Sequence, residues 1–234
     1  MPNARLYQDV ARIFVADIVA GVYPVGSRMP AERELAMIHD VSRPTVREAI
    51  IALEVQGLVE VRIGSGTYVL RLPTQRDLGG YGISAFELTE ARYCIEGEAA
   101  ALAASQITDD EVEEIAALVE EIARENTNPK GTAQADRAFH LAIARASRNG
   151  AMHGAIASLW DLRDSSAEAA LLHEKARSAN IKPVVEEHAA IVEALRARDP
   201  EAARAAMRAH LSAVIDSLLF ATEGARQRSD KAAA

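Results

Sequence analysis

The chain has 234 residues, room for two domains, and 49% of them are hydrophobic, so a sizeable core can form; only 4% are aromatic and Ala is abundant, which favours helices over sheets. Cys94 is the single cysteine, which excludes a disulfide within the chain and points to a reducing compartment. The net charge of −8 argues against indiscriminate coating of nucleic acid. The N-terminal residues carry no apolar run of signal-peptide length, and no stretch approaches the ~18 apolar residues of a membrane span, so a soluble cytoplasmic protein is expected.

Leu6 to Ala20 places apolar residues at 6, 10, 14, 15, 18 and 19, a helical period. Gly21, Pro24, Gly26 and Pro30 then break the chain. Ala31 to Ile38 reads as a short second helix, and His39-Asp40-Val41 as a turn. Ser42 is a good N-cap for a third helix, with Pro44 tolerated in its first turn; that helix runs to about Gln56 and stops at Gly57. LVEVR and TYVLR around IGSG read as two strands of a hairpin. Three helices followed by a hairpin is the order of a winged helix-turn-helix, a module that sets its third helix in the major groove of DNA.

Residues 73–85 read as a linker because Pro73, Gly79, Gly80 and Gly82 discourage regular structure. Helical patterns then follow at 86–105, 108–126, 133–148, 151–172, 181–198 and 200–222, separated by breaks at Thr127-Asn128-Pro129, Asn149-Gly150, Lys182-Pro183 and Asp199-Pro200. The expected architecture is therefore mainly α: a winged helix-turn-helix in residues 1–72, an all-α bundle of six or seven helices in 86–224, and a flexible tail in 225–234.

Charge divides along the same line. Residues 1–72 hold eight Arg, no Lys and eight Asp plus Glu, so the whole −8 falls on residues 73–234. A neutral DNA-binding domain must rely on a few placed arginines. Arg43 and Arg47 are four apart and project from one face of the third helix. An arginine there takes guanine O6 and N7 as a fork, or a phosphate. Arg33 sits on the preceding helix, which crosses the backbone in this motif. Gly64 and Gly66 let the wing backbone approach DNA closely. The alternative is that these arginines pair with Glu32, Glu34 and Glu48 on a solvated surface.

The pattern G-x-Y-P-x-G-S-x-x-P-x-E-R-E-L-A, then V-S-R-P-T-V-R-E-A, then L-x-x-x-G-L-V-x-x-x-x-G-x-G-T-Y-V closely resembles the GntR family of bacterial repressors over Gly21 to Val69. The resemblance implies transcription control by an effector-sensitive homodimer on operator DNA. It carries DNA contacts onto Arg33, Arg43 and Arg47, hydroxyl contacts onto Ser42 and Thr45, and the wing tip onto Gly64 and Gly66.

Residues 86–220 resemble the FadR-type effector domain, the FCD branch of that family. The phrase F-E-L-T-E-A-R-Y-C-I-E-G-E-A-A matches its entry helix, and D-R-A-F-H-L-A-I-A-R-A-S-R-N its metal signature. Asp136 and His140 are four apart on one helical face, and His188 and His210 sit beside apolar helical stripes. Three imidazoles and a carboxylate make a sensible set for a divalent metal, with zinc the default and nickel, manganese or iron allowed. A lone His on an apolar face is otherwise a core residue; His39, His153 and His173 match no ligand position.

The resemblance further implies a small carboxylate effector held by the metal and by Arg92, for which a salt bridge to Glu96 is the plain alternative. Asn149 is a candidate polar contact or an ordinary helix C-cap. The F-E-L-x-x-A-R phrase, S-L-W-x-x-R around Trp160 and Arg163, and L-H-x-K around His173 and Lys175 look like the hexuronate regulators of the branch, which implies a sugar acid. Arg163, Asp164 and Lys175 either read its hydroxyls or lie on the surface. The rival readings are a metal-dependent enzyme fused to a DNA-binding module, and a regulator whose metal is purely structural or is itself the signal.

Overall fold

The computed structural model describes residues 6–74, 82–128 and 133–221. Gly79 and Gly80 of the expected linker, Pro129 of the expected break and the expected tail 225–234 lie outside the described residues.

The front of the chain forms α1 (Leu6–Val19), α2 (Glu32–Ile38), α3 (Arg43–Val55), β1 (Val59–Arg62) and β2 (Gly66–Val69). Ser42 caps α3 by accepting from the Thr45 amide at 3.2 Å, with Pro44 in the first turn. The helix ends where Gly57 takes φ +69°, a left-handed cap that costs a residue without Cβ little. The strands pair antiparallel with Val59 opposite Val69 and Arg62 opposite Gly66. Gly66 has φ +121°, and a Cβ there would stand 2.5 Å from the Arg28 side chain. Phe14 and Ile18 of α1, Leu35 of α2, Val46, Ile50 and Leu53 of α3, and Leu58 build one buried cluster, each large side chain stabilising the fold by about 1.5–3 kcal/mol.

The rest of the described chain is helical: α4 (Ala85–Ala104), α5 (Asp109–Thr127), α6 (Gln134–Ala146), α7 (Gly150–Ser165), α8 (Ala167–Ser178), α9 (Val185–Arg196) and α10 (Pro200–Phe220). The helix expected over 151–172 is two helices, α7 and α8. Ser166 separates them, with its hydroxyl donating to the Ile83 carbonyl at 2.5 Å. Helix α9 starts at Val185, later than expected, because Pro183 cannot donate into a helix. Thr108 and Glu111 close a reciprocal capping box on α5.

The chain divides into two compact units. One contains the described residues within Met1–Phe86, Ser165–Asn180 and Ser217–Ala234; the other contains Glu87–Asp164 and Ile181–Asp216. Helix α8 and the last turn of α10 therefore belong to the winged-helix unit, where α8 packs along α3. The second unit has its own core of Ile115, Phe139, Ile143, Ile191, Leu195, Met207 and Leu211. No described helix is long and apolar enough to cross a membrane.

Candidate DNA-reading and metal-binding sites

In the first unit, Arg33 and Ser42 are exposed and Arg43 is half-buried. Arg47 is different: it is 0% exposed, ion-paired with Glu32 of α2, and its Nη1 donates to the Leu218 carbonyl of α10 at 3.3 Å. The alternative pairing of Arg47 with Glu32 is present, but it is buried and not on a solvated surface. Other side chains along α3 are also engaged. The Ser84 hydroxyl donates to Glu48, and Lys175 of α8 pairs with Glu54 at 2.9 Å while donating to the Val61 carbonyl at 3.2 Å. Lys175 thus belongs to this unit. Ser42 and Thr45 share a hydroxyl–hydroxyl hydrogen bond of 2.8 Å, so both serve the cap of α3. Gly64 is exposed at the wing turn with φ +72°.

In the second unit the four residues expected to hold a metal come together. Asp136 and His140 of α6, His188 of α9 and His210 of α10 are all buried, and their ligand atoms lie within 4.8 Å of one another. His188 Nε2 is 3.0 Å and His140 Nε2 3.7 Å from Asp136 Oδ1. Each imidazole is anchored by its other nitrogen. His140 Nδ1 meets Glu96 Oε2 at 2.5 Å, His188 Nδ1 meets the Val184 carbonyl at 2.7 Å, and His210 Nδ1 meets Glu187 Oε2 at 2.8 Å. A carboxylate or carbonyl at Nδ1 accepts its proton and leaves the Nε2 lone pair for a metal. The buried His140 Nε2 has no hydrogen-bond partner among the described residues. Three imidazole nitrogens and a carboxylate, all steered to one centre, fit a divalent cation.

The two carboxylates at the cluster are held ionised. Burial pushes the Glu96 carboxyl up, but Arg92 and His140 outweigh it and hold the group down at about 2. Burial likewise opposes ionisation of Asp136, and the neighbouring His140 and His188 imidazoles bring it well below the usual carboxylate range. His140 is raised: burial lowers it, and the Glu96 charge more than compensates. His210 is pushed down to about 4, mainly by burial. Glu96 and Glu187 were not singled out as anchors from the sequence, because their role depends on which helix faces which.

Arg92 is buried, with Nε on Glu96 Oε1 at 2.7 Å, so the i, i+4 salt bridge forms. Glu96 therefore joins Arg92 to His140 of the candidate metal site. The Arg92 guanidinium also lies 4.1 Å over the Trp160 ring, and Arg163 lies 4.8 Å over the same ring. Trp160 in turn sits 5.4 Å from the His140 ring. Asn149 accepts from the Ala151 and Met152 amides at 3.1 and 3.2 Å, so it caps the start of α7 instead of a helix C-terminus. Its side-chain oxygen is committed to those amides. Of the unmatched histidines, His39 stacks edge-on against Phe14 at 5.4 Å, and all three are half-buried.

Residues 6–69 match the model of the bacterial regulatory proteins of the gntR family, and residues 87–213 match the FCD domain. The chain belongs to the GntR family, in its FCD branch. This GntR-family chain is 37% identical over 215 residues to the Exu regulon transcriptional regulator of Escherichia coli, spanning 88% of this chain and 82% of that protein. It is 34% identical over 216 residues to the Uxu operon regulator of Haemophilus influenzae, spanning 90% and 80%. Among solved structures it is similar to a Streptococcus agalactiae GntR protein, 32% identical with a TM-score of 0.44 over 89% of this chain and 98% of that one. It is a DNA-binding transcriptional regulator of the GntR type with an FCD domain.

Proposed function

We propose that this regulator is a homodimeric repressor whose operator binding is set by a small carboxylate, of the hexuronate class, held at a metal in the second unit. The observation that carries this reading is the geometry around Glu96. One carboxylate anchors both a candidate metal-ligand imidazole and the buried Arg92, which links the guanidinium to the cluster that would hold the ion. Asp136, His140, His188 and His210 would hold the ion, with zinc the default choice. The ion would supply a cationic pole for an oxygen ligand, and Arg92 the matching donor.

On the DNA side, Arg33, Arg43 and Arg47 with Ser42, Thr45 and the Gly64–Gly66 wing would read a short inverted repeat, one half-site per protomer. In the structure described here Arg47 is covered, so binding requires it to leave Glu32 and the Leu218 carbonyl. Leu218 and the ligand His210 lie on the same helix, α10. A shift of that helix on ligand binding therefore acts on the Arg47 acceptor. The ligand must prefer one of the two arrangements for such control to operate.

The test is a thermal-shift screen of D-glucuronate, D-galacturonate and simpler acids, with and without chelator, alongside metal analysis of protein purified without chelator. Stoichiometric metal and a metal-dependent rise in melting temperature with a uronate are expected. Absence of bound metal, or no response to any acid, overturns the reading.

A further inference from the structure

Two further buried donors stand beside the metal-binding residues without a partner among the described residues: Arg92 Nη2 and Trp160 Nε1. Arg92 has already committed its Nε to Glu96, so Nη2 is a remaining donor aimed by a fixed side chain. Trp160 is 1% exposed and packs against Ala99, Ala144 and Ile156. Its ring is held under the guanidiniums of Arg92 and Arg163. That clamp fixes the direction of the indole N–H, and a cation over the ring draws electron density from it and strengthens the donor. An indole N–H cannot accept a hydrogen bond, and neither can a guanidinium. These two unpartnered groups can therefore only donate, and beside the candidate metal ligands they suit acceptor oxygens of a ligand.

We infer that Trp160 is a specificity-determining residue of the sensing site, its Nε1 donating to an oxygen of the ligand other than the carboxylate. This rests on the carboxylate-effector reading above and narrows it. The ligand class becomes acids with an oxygen close to the carboxyl group, such as 2-hydroxy acids and the ring-oxygen acids of uronates, and plain carboxylates are disfavoured. A site built around a donor rejects an analogue that leaves that donor unpaired. Trp160→Phe keeps an aromatic ring at this position and removes the donor together with part of the buried ring volume.

Trp160 is the sole tryptophan of the chain, so its indole proton gives one resonance in a nitrogen-correlated NMR spectrum. The zinc-loaded full-length protein is titrated with D-galacturonate, D-glucuronate and cyclohexanecarboxylate. The expected result is a downfield shift of that resonance with a uronate and none with cyclohexanecarboxylate. Trp160→Phe should weaken the uronate about tenfold, leave cyclohexanecarboxylate unchanged and keep the metal content. An unmoved indole resonance on uronate binding overturns the proposal, as does equal weakening of both ligand types. Failure of the underlying reading looks different: no acid binds the wild-type protein at all, and both ideas fall together. Should the variant not fold, the wild-type resonance decides alone.

Discussion

Glu96→Gln is the sharpest test of how the metal-binding cluster is built. In the wild type the Glu96 carboxyl is ionised, held at about 2, and accepts on both oxygens: from Arg92 Nε at 2.7 Å and from His140 Nδ1 at 2.5 Å. A glutamine has one accepting oxygen and one donating nitrogen. If the oxygen stays with Arg92, the amide nitrogen faces His140 Nδ1 and drives the proton to Nε2, the atom that should bind metal. If the oxygen turns to His140, the amide nitrogen faces the Arg92 donor. Loss of such an anchor typically costs 10–100-fold in metal affinity, about 1.4–2.7 kcal/mol. The assay is competition against a chromophoric chelator at fixed pH. Glu98→Gln on the same helix serves as control, since among the described residues Glu98 pairs with Arg204 and Arg208 toward the surface. An affinity for Glu96→Gln within about twofold of wild type refutes the reasoning. So does an equal loss in both variants.

Other consequences concern DNA, stability and pH. Arg47→Ala is expected to abolish specific operator binding at fixed salt, read by fluorescence anisotropy, whereas Glu32→Gln weakens the buried pair that covers Arg47 and should tighten binding severalfold; unchanged operator affinity in Arg47→Ala refutes the base-reading role. Thr108→Ala breaks the capping box of α5 and should cost about 1 kcal/mol, or about 2–4 °C in melting temperature for a chain of this size. In metal-free protein His210 is held near 4, below the ~6.5 of an unfolded histidine. The unfolded chain therefore takes up the proton first, so this stabilisation is complete above about pH 6.5 and is lost as the pH falls toward 4. His210→Phe should flatten that part of the stability profile, measured by urea melts.

Much of this protein was legible without coordinates because its signals are local. The N-cap at Ser42, the stop at Gly57, the hairpin around Gly64 and Gly66, and the i, i+4 pair Asp136–His140 depend on residues close in the chain, and each appears in the structure. Two readings shifted because a short-range pattern was ambiguous. The helical pattern over 151–172 continues through Ser166, yet that hydroxyl is drawn to the distant Ile83 carbonyl and the helix breaks. Asn149 can cap a helix on either side, and the amides of α7 claimed it. Only the tertiary structure decided the contacts between residues far apart in sequence. It brought Glu96 and Glu187 to the imidazoles, laid Arg92 over Trp160, and buried Arg47 between Glu32 and the end of α10. Sequence spacing shows which side chains share a helix face. Packing chooses what that face meets, and that choice governs the tautomer of the His140 imidazole and the accessibility of Arg47.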